Sequence, residues 1–183
     1  MARRTVWLLR HAKTVPDPPE GGTDFDRVLA VRGRRDAKAL GTLIEADGHK
    51  LGLGTLRLPE VVLVSPAART AATADLALAH LEPAPEVRAV RALYSADPDE
   101  VIDELRALED GVRSVMVIGH NPTMEALGLE LVTRKDVHGR ATMERGFPTC
   151  GLAVYDVTIR EWKELDFRSA RLVGMLTPPF ATS

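Results

Sequence analysis

Three short apolar runs constrain this chain most: residues 5–9, residues 61–64 and residues 114–118, each followed by a segment with helical spacing. Runs of four or five apolar residues are too short for buried helices and suit strands covered on both faces. After the first run comes a Pro- and Gly-rich loop, residues 15–24. A predicted helix then covers residues 33–47, with Ala37, Leu40 and Ile44 on one face. After the second run, the Ala- and Leu-rich residues 67–81 read as a helix stopped by Pro83, and residues 87–90 as a short strand. Asp97-Pro98 opens a further helix, with Asp97 as N-cap and Val101, Ile102, Leu105 and Leu108 as its apolar face. After the third run, Asn121 is placed to cap a helix over residues 122–131. A polar loop is expected over residues 133–148. Late strands over residues 152–157 and 162–167 are expected to pair antiparallel, and an apolar segment over residues 172–176 precedes a Pro-rich tail.

Such alternation predicts an α/β fold: one three-layer domain over residues 1–183, with a mainly parallel sheet, helices on both faces and an antiparallel element late in the chain. The length suits one domain with a real core. In sheets of this kind ligands bind beyond the carboxyl ends of strands. That rule selects Arg10-His11, Ser65 to Arg69, and Gly119-His120-Asn121, and would bring them to one edge.

The 24 basic and 26 acidic side chains leave a net charge of −2, which gives no sign of a nucleic-acid binder held by bulk charge. No apolar run is long enough to span a bilayer, and the basic N-terminus lacks the apolar stretch of a secretory signal. With Cys150 alone, no internal disulfide is expected. These features lead to the expectation of a cytoplasmic protein without nucleic-acid or membrane partners.

At the three strand ends, Arg10 and Arg69 supply permanent cations whose forked donors match phosphate oxygens. His11 and His120 each offer a ring nitrogen, one as a nucleophile and the other, if protonated, to hold charge on a phosphoryl group. The helix starts near Pro66 and Pro122 add backbone N–H groups. Each residue taken alone has a plainer reading as a solvated or structural side chain. Their coincidence at strand ends is what points to an anion pocket. Ser65 reads first as a helix cap and second as part of the pocket lining, and Asn121 joins it as a substrate-binding candidate.

The motifs themselves resemble those of a known family. Leu8-Leu9-Arg10-His11-Ala12-Lys13, Ser65-Pro66-Ala67-Ala68-Arg69-Thr70-Ala71-Ala72-Thr73-Ala74 and Gly119-His120-Asn121-Pro122 resemble, in order and spacing, the three motifs of the histidine phosphatase, or phosphoglycerate mutase-like, superfamily. Ala12-Lys13, the stretch Asp24-Phe25-Asp26-Arg27-Val28-Leu29 and Arg32-Gly33 resemble its short SixA-like branch of phosphohistidine phosphatases, which lacks the long insertions of the mutases. The resemblance implies His11 as nucleophile, with Arg10, Arg69 and His120 completing the phosphate pocket. It implies a phosphohistidine intermediate, no cofactor and no metal. The expected substrate is a phosphorylated compound, foremost a phosphohistidine protein. The alternatives are a small-molecule phosphomonoesterase and, in another class, a phosphate-binding module without turnover.

Many family members carry a glutamate proton donor near the stretch Leu93-Tyr94-Ser95, where this chain has no acid before Asp97. Asp24 is the expected replacement, and Asp26 is expected to pair locally with Arg27 or a neighbour. His49 and His80, near predicted helix ends, His138 in the polar loop, and Cys150 as a small buried thiol are expected to have structural or solvated roles. The loop basic residues Arg134, Lys135, Arg140 and Arg145 read as a solvated face before they read as a docking surface.

Overall fold

The computed structural model describes residues 1–47 and 57–180. Its apolar runs form β1 (Ala2–Arg10), β2 (Val61–Val64), β3 (Glu86–Ala89) and β4 (Ser114–Gly119), followed by β5 (Leu152–Ile159) and β6 (Ala170–Leu176). They make one sheet in the order β3-β2-β4-β1-β5-β6. The first four strands of that order run parallel, whereas β5 pairs antiparallel with both β1 and β6. Successive side chains of a strand point to opposite faces. Val6 and Leu8 therefore enter one core with Val115 and Val117, while Trp7 and Leu9 enter the other with Met116 and Ile118.

Helices α1 (Val31–Asp47) and α2 (Ala68–Ala77) cover the Trp7 face through Ala37, Leu40, Ile44, Ala74 and Ala77. On the other face lie α3 (Pro98–Arg106), α4 (Thr123–Leu131) and α5 (Val137–Met143), through Val101, Ile102, Leu105, Met124, Leu127 and Met143. The result is the α/β layering expected from the sequence. Burying each such Leu, Ile, Val or Met side chain is worth about 1.5–3 kcal/mol, so both faces contribute to holding the sheet. The spatial order β2-β4-β1 explains the site: the strands that end in Val64 (just before Ser65), Gly119 and Arg10 are adjacent.

Asp97 caps α3 as the sequence implies, accepting from Glu100 N–H at 2.9 Å while Glu100 reaches back to the Asp97 N–H at 2.8 Å. Four expectations need correction. The segment expected as a polar loop over residues 133–148 contains α5, whose first turn is tied by the Asp136 carboxylate accepting from Gly139 N–H at 2.9 Å. The strand expected over residues 162–167 is instead a 3-10 turn, Trp162–Glu164. Buried Trp162 and Leu165 stand three apart, the spacing of that turn, and β6 begins later at Ala170. Helix α2 stops at Ala77, before the expected residue 81, and Leu81 is buried from the turn that follows. Asn121 does not cap α4: that position belongs to Pro122, and the Asn121 amide is engaged elsewhere.

Candidate active site

His11 leaves the end of β1 with its backbone tied on two sides. Its N–H donates to the Gly119 carbonyl at 3.1 Å, and its carbonyl accepts from Cys150 N–H at 3.0 Å. Cys150 has a φ of 59°, in the left-handed region, and its N–H also reaches the Arg10 carbonyl at 3.1 Å. The next residue, Ala12, donates its N–H to Thr73 Oγ1 on α2 at 3.0 Å. The first motif is thereby held by β4, α2 and the turn before β5.

The ring is oriented just as firmly. His11 Nδ1 lies 2.8 Å from the Ala12 carbonyl oxygen, which only accepts, so Nδ1 carries the proton of the neutral imidazole. The lone pair then sits on Nε2, which makes no hydrogen bond within the described residues. Burial pushes the His11 imidazole down to about 4; the hydrogen bond to Ala12 opposes this, while Arg69, Arg10 and Arg27 reinforce it. At pH 7 the ring is neutral, as a nucleophile requires.

His120 stands opposite, its ring centroid 5.4 Å from that of His11. Its Nε2 lies 2.8 Å from Ser65 Oγ, and its Nδ1 is buried with no partner among the described residues. Burial, then the charge of Arg69 and the neighbouring His11, pushes this imidazole down to about 3. His120 is thus neutral as well in the free protein. The protonated form considered from the sequence requires a bound anion to stabilise it.

Arg10 and Arg69 complete the cluster, each with a buried Nε that has no partner among the described residues. Arg10 Nη1 donates to the Phe147 carbonyl at 2.8 Å, and burial lowers the guanidinium's pKa. Asn121 Nδ2 donates to that same carbonyl and to Glu125 Oε2, both at 3.1 Å. Asn121 therefore braces the Phe147 loop that holds Arg10. Ser65, fully buried, touches His120 rather than lining the pocket.

Asp24 does reach the site. Arg69 Nη2 donates to Asp24 Oδ2 at 3.0 Å, and Nη1 donates to the Asp24 carbonyl at 2.7 Å. The Tyr94 hydroxyl also donates to Asp24 Oδ2, at 3.0 Å, and Arg27 Nε lies 3.3 Å from Oδ1. Partial burial pushes the Asp24 carboxyl up, but Tyr94, Arg69 and Arg27 outweigh it and hold the group below the usual carboxylate range. This is a deprotonated carboxylate on a guanidinium, the reverse of what a ready proton donor needs. Asp26 is engaged locally as expected, but with Thr23 N–H at 2.9 Å and its hydroxyl at 3.0 Å rather than with Arg27.

Tyr94 is the site residue whose role the sequence reading missed, although its position was marked by the absent glutamate. Its ring meets that of His120 edge-on at 5.6 Å and that of Phe25 at 5.0 Å, while the Arg69 guanidinium lies 5.8 Å from its centroid. The Phe147 carbonyl was also missed, because a backbone oxygen leaves no mark in sequence. A cavity of about 350 Å³ opens beside His120, walled by Tyr94, Ala96, Pro98, Pro122, Thr123 and Ala126. His80 and His138 are exposed and lie outside the cluster; His49 falls outside the described residues. Among the described residues no three His, Cys, Asp or Glu side chains converge as metal ligands. Among them, too, no helix is long and apolar enough to cross a membrane.

No protein-family model matches the chain. An uncharacterised protein of Mycobacterium leprae (strain TN) is 35% identical over 175 residues, covering 93% of this chain and 99% of its own length. Among solved structures, a candidate phosphohistidine phosphatase SixA from Nakamurella multipartitia superposes with a TM-score of 0.79 at 30% identity, over 98% of each chain. A candidate SixA from Agrobacterium tumefaciens does so with a TM-score of 0.76 at 32% identity, over 96% of this chain and 98% of its own. Arg10-His11 at the end of β1 and His120 at the end of the adjacent β4, with Arg69 in the first turn of α2, define a phosphatase of the phosphoglycerate mutase-like fold. The chain belongs to the histidine phosphatase superfamily, within its SixA-like branch.

Proposed function

We propose that this phosphatase transfers a phosphoryl group to His11 Nε2 and then to water, and that its substrate is a phosphohistidine side chain of a protein. The observation that carries the first half is the His11 tautomer, which leaves an Nε2 lone pair among Arg10, Arg69 and His120. In the first step a bond forms between Nε2 and phosphorus as the bond from phosphorus to the leaving nitrogen breaks, and the leaving imidazole departs neutral because its other nitrogen already carries a proton taken from solvent. In the second, water attacks phosphorus, the bond to Nε2 breaks and inorganic phosphate leaves. Arg10, Arg69 and the Nδ1 side of His120 steady the equatorial oxygens in both steps. The two guanidiniums serve the role that a metal ion plays elsewhere, so the reaction proceeds without one.

Two observations favour phosphohistidine over phosphate esters. The carboxylate at the site is deprotonated and paired with Arg69, so a leaving alkoxide finds no ready acid, whereas an imidazole leaves well once protonated. Both SixA structures at 30% and 32% identity are of candidate phosphohistidine phosphatases. Asp24 is better supported as the anion that occupies Arg69 until phosphate displaces it than as the general acid. The test is a phosphate-release panel across a phosphohistidine protein, p-nitrophenyl phosphate and sugar phosphates, with and without EDTA. Phosphohistidine should be turned over fastest, EDTA should have no effect, and wild type quenched in alkaline denaturant, where phosphohistidine survives, should carry label on His11, with His11→Ala inactive. Preference for sugar phosphates would move the substrate to small esters. Retained activity in His11→Ala would overturn the mechanism.

A further inference from the structure

Ser65 is held at the end of β2 by its own N–H donating to the Ile118 carbonyl at 3.1 Å and by Thr70 Oγ1 donating to its carbonyl at 2.7 Å. Its hydroxyl oxygen accepts from Ala67 N–H at 3.4 Å and lies 2.8 Å from His120 Nε2. A serine hydroxyl has one proton to donate, and a neutral imidazole has one nitrogen with a proton and one with a lone pair. Among the described hydrogen bonds, His120 Nε2 is the acceptor available to that hydroxyl. If Nε2 accepts, the ring proton is on Nδ1, the nitrogen left buried without a partner. The opposite arrangement would bury the hydroxyl proton without an acceptor and would turn an Nδ1 lone pair toward any bound anion, two penalties at once.

We infer that Ser65 is a positioning residue that fixes neutral His120 as its Nδ1–H tautomer, so that His120 meets a phosphoryl oxygen with a proton donor. The inference rests on the reading of this cluster as the phosphate pocket. The two facing imidazoles are then the same tautomer turned to opposite uses. His11 offers its Nε2 lone pair to phosphorus, and His120 offers its Nδ1–H to oxygen. The Ser65 hydroxyl accepts as readily as it donates, so the contact also survives when bound phosphate protonates the ring.

The test uses the whole chain with ¹⁵N-labelled histidine, and long-range ¹H–¹⁵N correlation at pH 7 reads the tautomer of each ring. His120→Gln identifies the His120 signals. The expected result is Nδ1–H for His120 in wild type and in Ser65→Thr, which keeps the hydroxyl, and a shift toward Nε2–H in Ser65→Ala. Ser65→Ala should also lower kcat/KM about tenfold, the scale of one hydrogen bond to a charged group. Nε2–H in wild type, or an unchanged tautomer in Ser65→Ala, would overturn the inference. If Ser65→Ala does not fold, the wild-type tautomer decides alone. Because the spectra are taken on free protein, a failure of the proposed substrate would appear only in the phosphate-release panel.

Discussion

At the scale of single residues, the pocket's charge balance turns on Asp24. Its carboxylate holds Arg69 at 3.0 Å in the free protein, so an incoming phosphate competes with an internal anion for the same guanidinium. Removing that anion should favour binding of phosphate. The Asp24 side chain is 56% exposed, so the pair is screened and its effect is modest. Asp24→Ala is expected to lower the inhibition constants of phosphate and vanadate by roughly two- to fivefold, the range of an exposed ion pair. A general-acid role would instead slow alkyl phosphates far more than p-nitrophenyl phosphate and leave inhibition unchanged. Steady-state inhibition with both substrate types separates the two. The candidate site residues Arg10, His11 and His120 were legible because they close or directly follow recognisable strands, and Arg69 because it lies in the first turn of the helix after β2. The tautomers were not, because they depend on Ala12 and Ser65 as hydrogen-bond partners.

At the scale of elements, the loop after His11 is a closed unit. Its neck is tied by Val15 N–H donating to the Val28 carbonyl at 3.1 Å and Ala30 N–H donating to the Lys13 carbonyl at 2.9 Å. Helix α1 starts at the neck, and Gly33 packs its backbone directly on Lys13. A Cβ at Gly33 would overlap the Lys13 carbonyl oxygen and crowd the Lys13 backbone nitrogen and carbonyl carbon at 2.9 Å. Backbone cannot swing aside as a side chain can. Gly33→Ala is therefore expected to destabilise the protein by about 1–3 kcal/mol, the usual cost of overpacking, and to lower kcat by displacing the segment that carries His11. Urea unfolding together with kcat measures both, and wild-type values for each would show that α1 does not set this loop. The Arg32-Gly33 pair was visible as a family feature, but its reason lies in packing. In the same way α5 was hidden, since seven residues with Met143 and Gly139 as their buried positions carry little apolar periodicity. Strand β3, mostly exposed at the sheet edge, was nevertheless legible from its β-branched Val87 and its spacing between turns.

At the scale of the whole molecule, the fold keeps two uncharged imidazoles beside the half-buried Arg10 and the buried Arg69, and this makes stability depend on pH. In the unfolded chain each histidine takes up its proton near pH 6.5. In the folded protein burial and the neighbouring arginines push His11 down to about 4 and His120 down to about 3. Between pH 6.5 and about 4 the unfolded state thus binds protons that the folded state refuses. The stability that both rings retain above pH 6.5 is lost as the pH falls through this window. Each ring contributes a slope of up to about 1.4 kcal/mol per pH unit. The Tm should accordingly fall across pH 6.5 to 4.5, its upper half lying above the range in which ordinary carboxylates titrate. In the doubly substituted His11→Gln, His120→Gln protein that decline should largely disappear, while the loss below pH 4 remains. Vanadate or phosphate should flatten the wild-type decline too, because a bound anion favours the protonated rings and raises their folded pKa values. Thermal melts at half-unit pH steps test this directly. A wild-type Tm that stays level from pH 6.5 to 4.5, or a decline equally steep in the double variant, would show that these two rings are not held neutral by the fold.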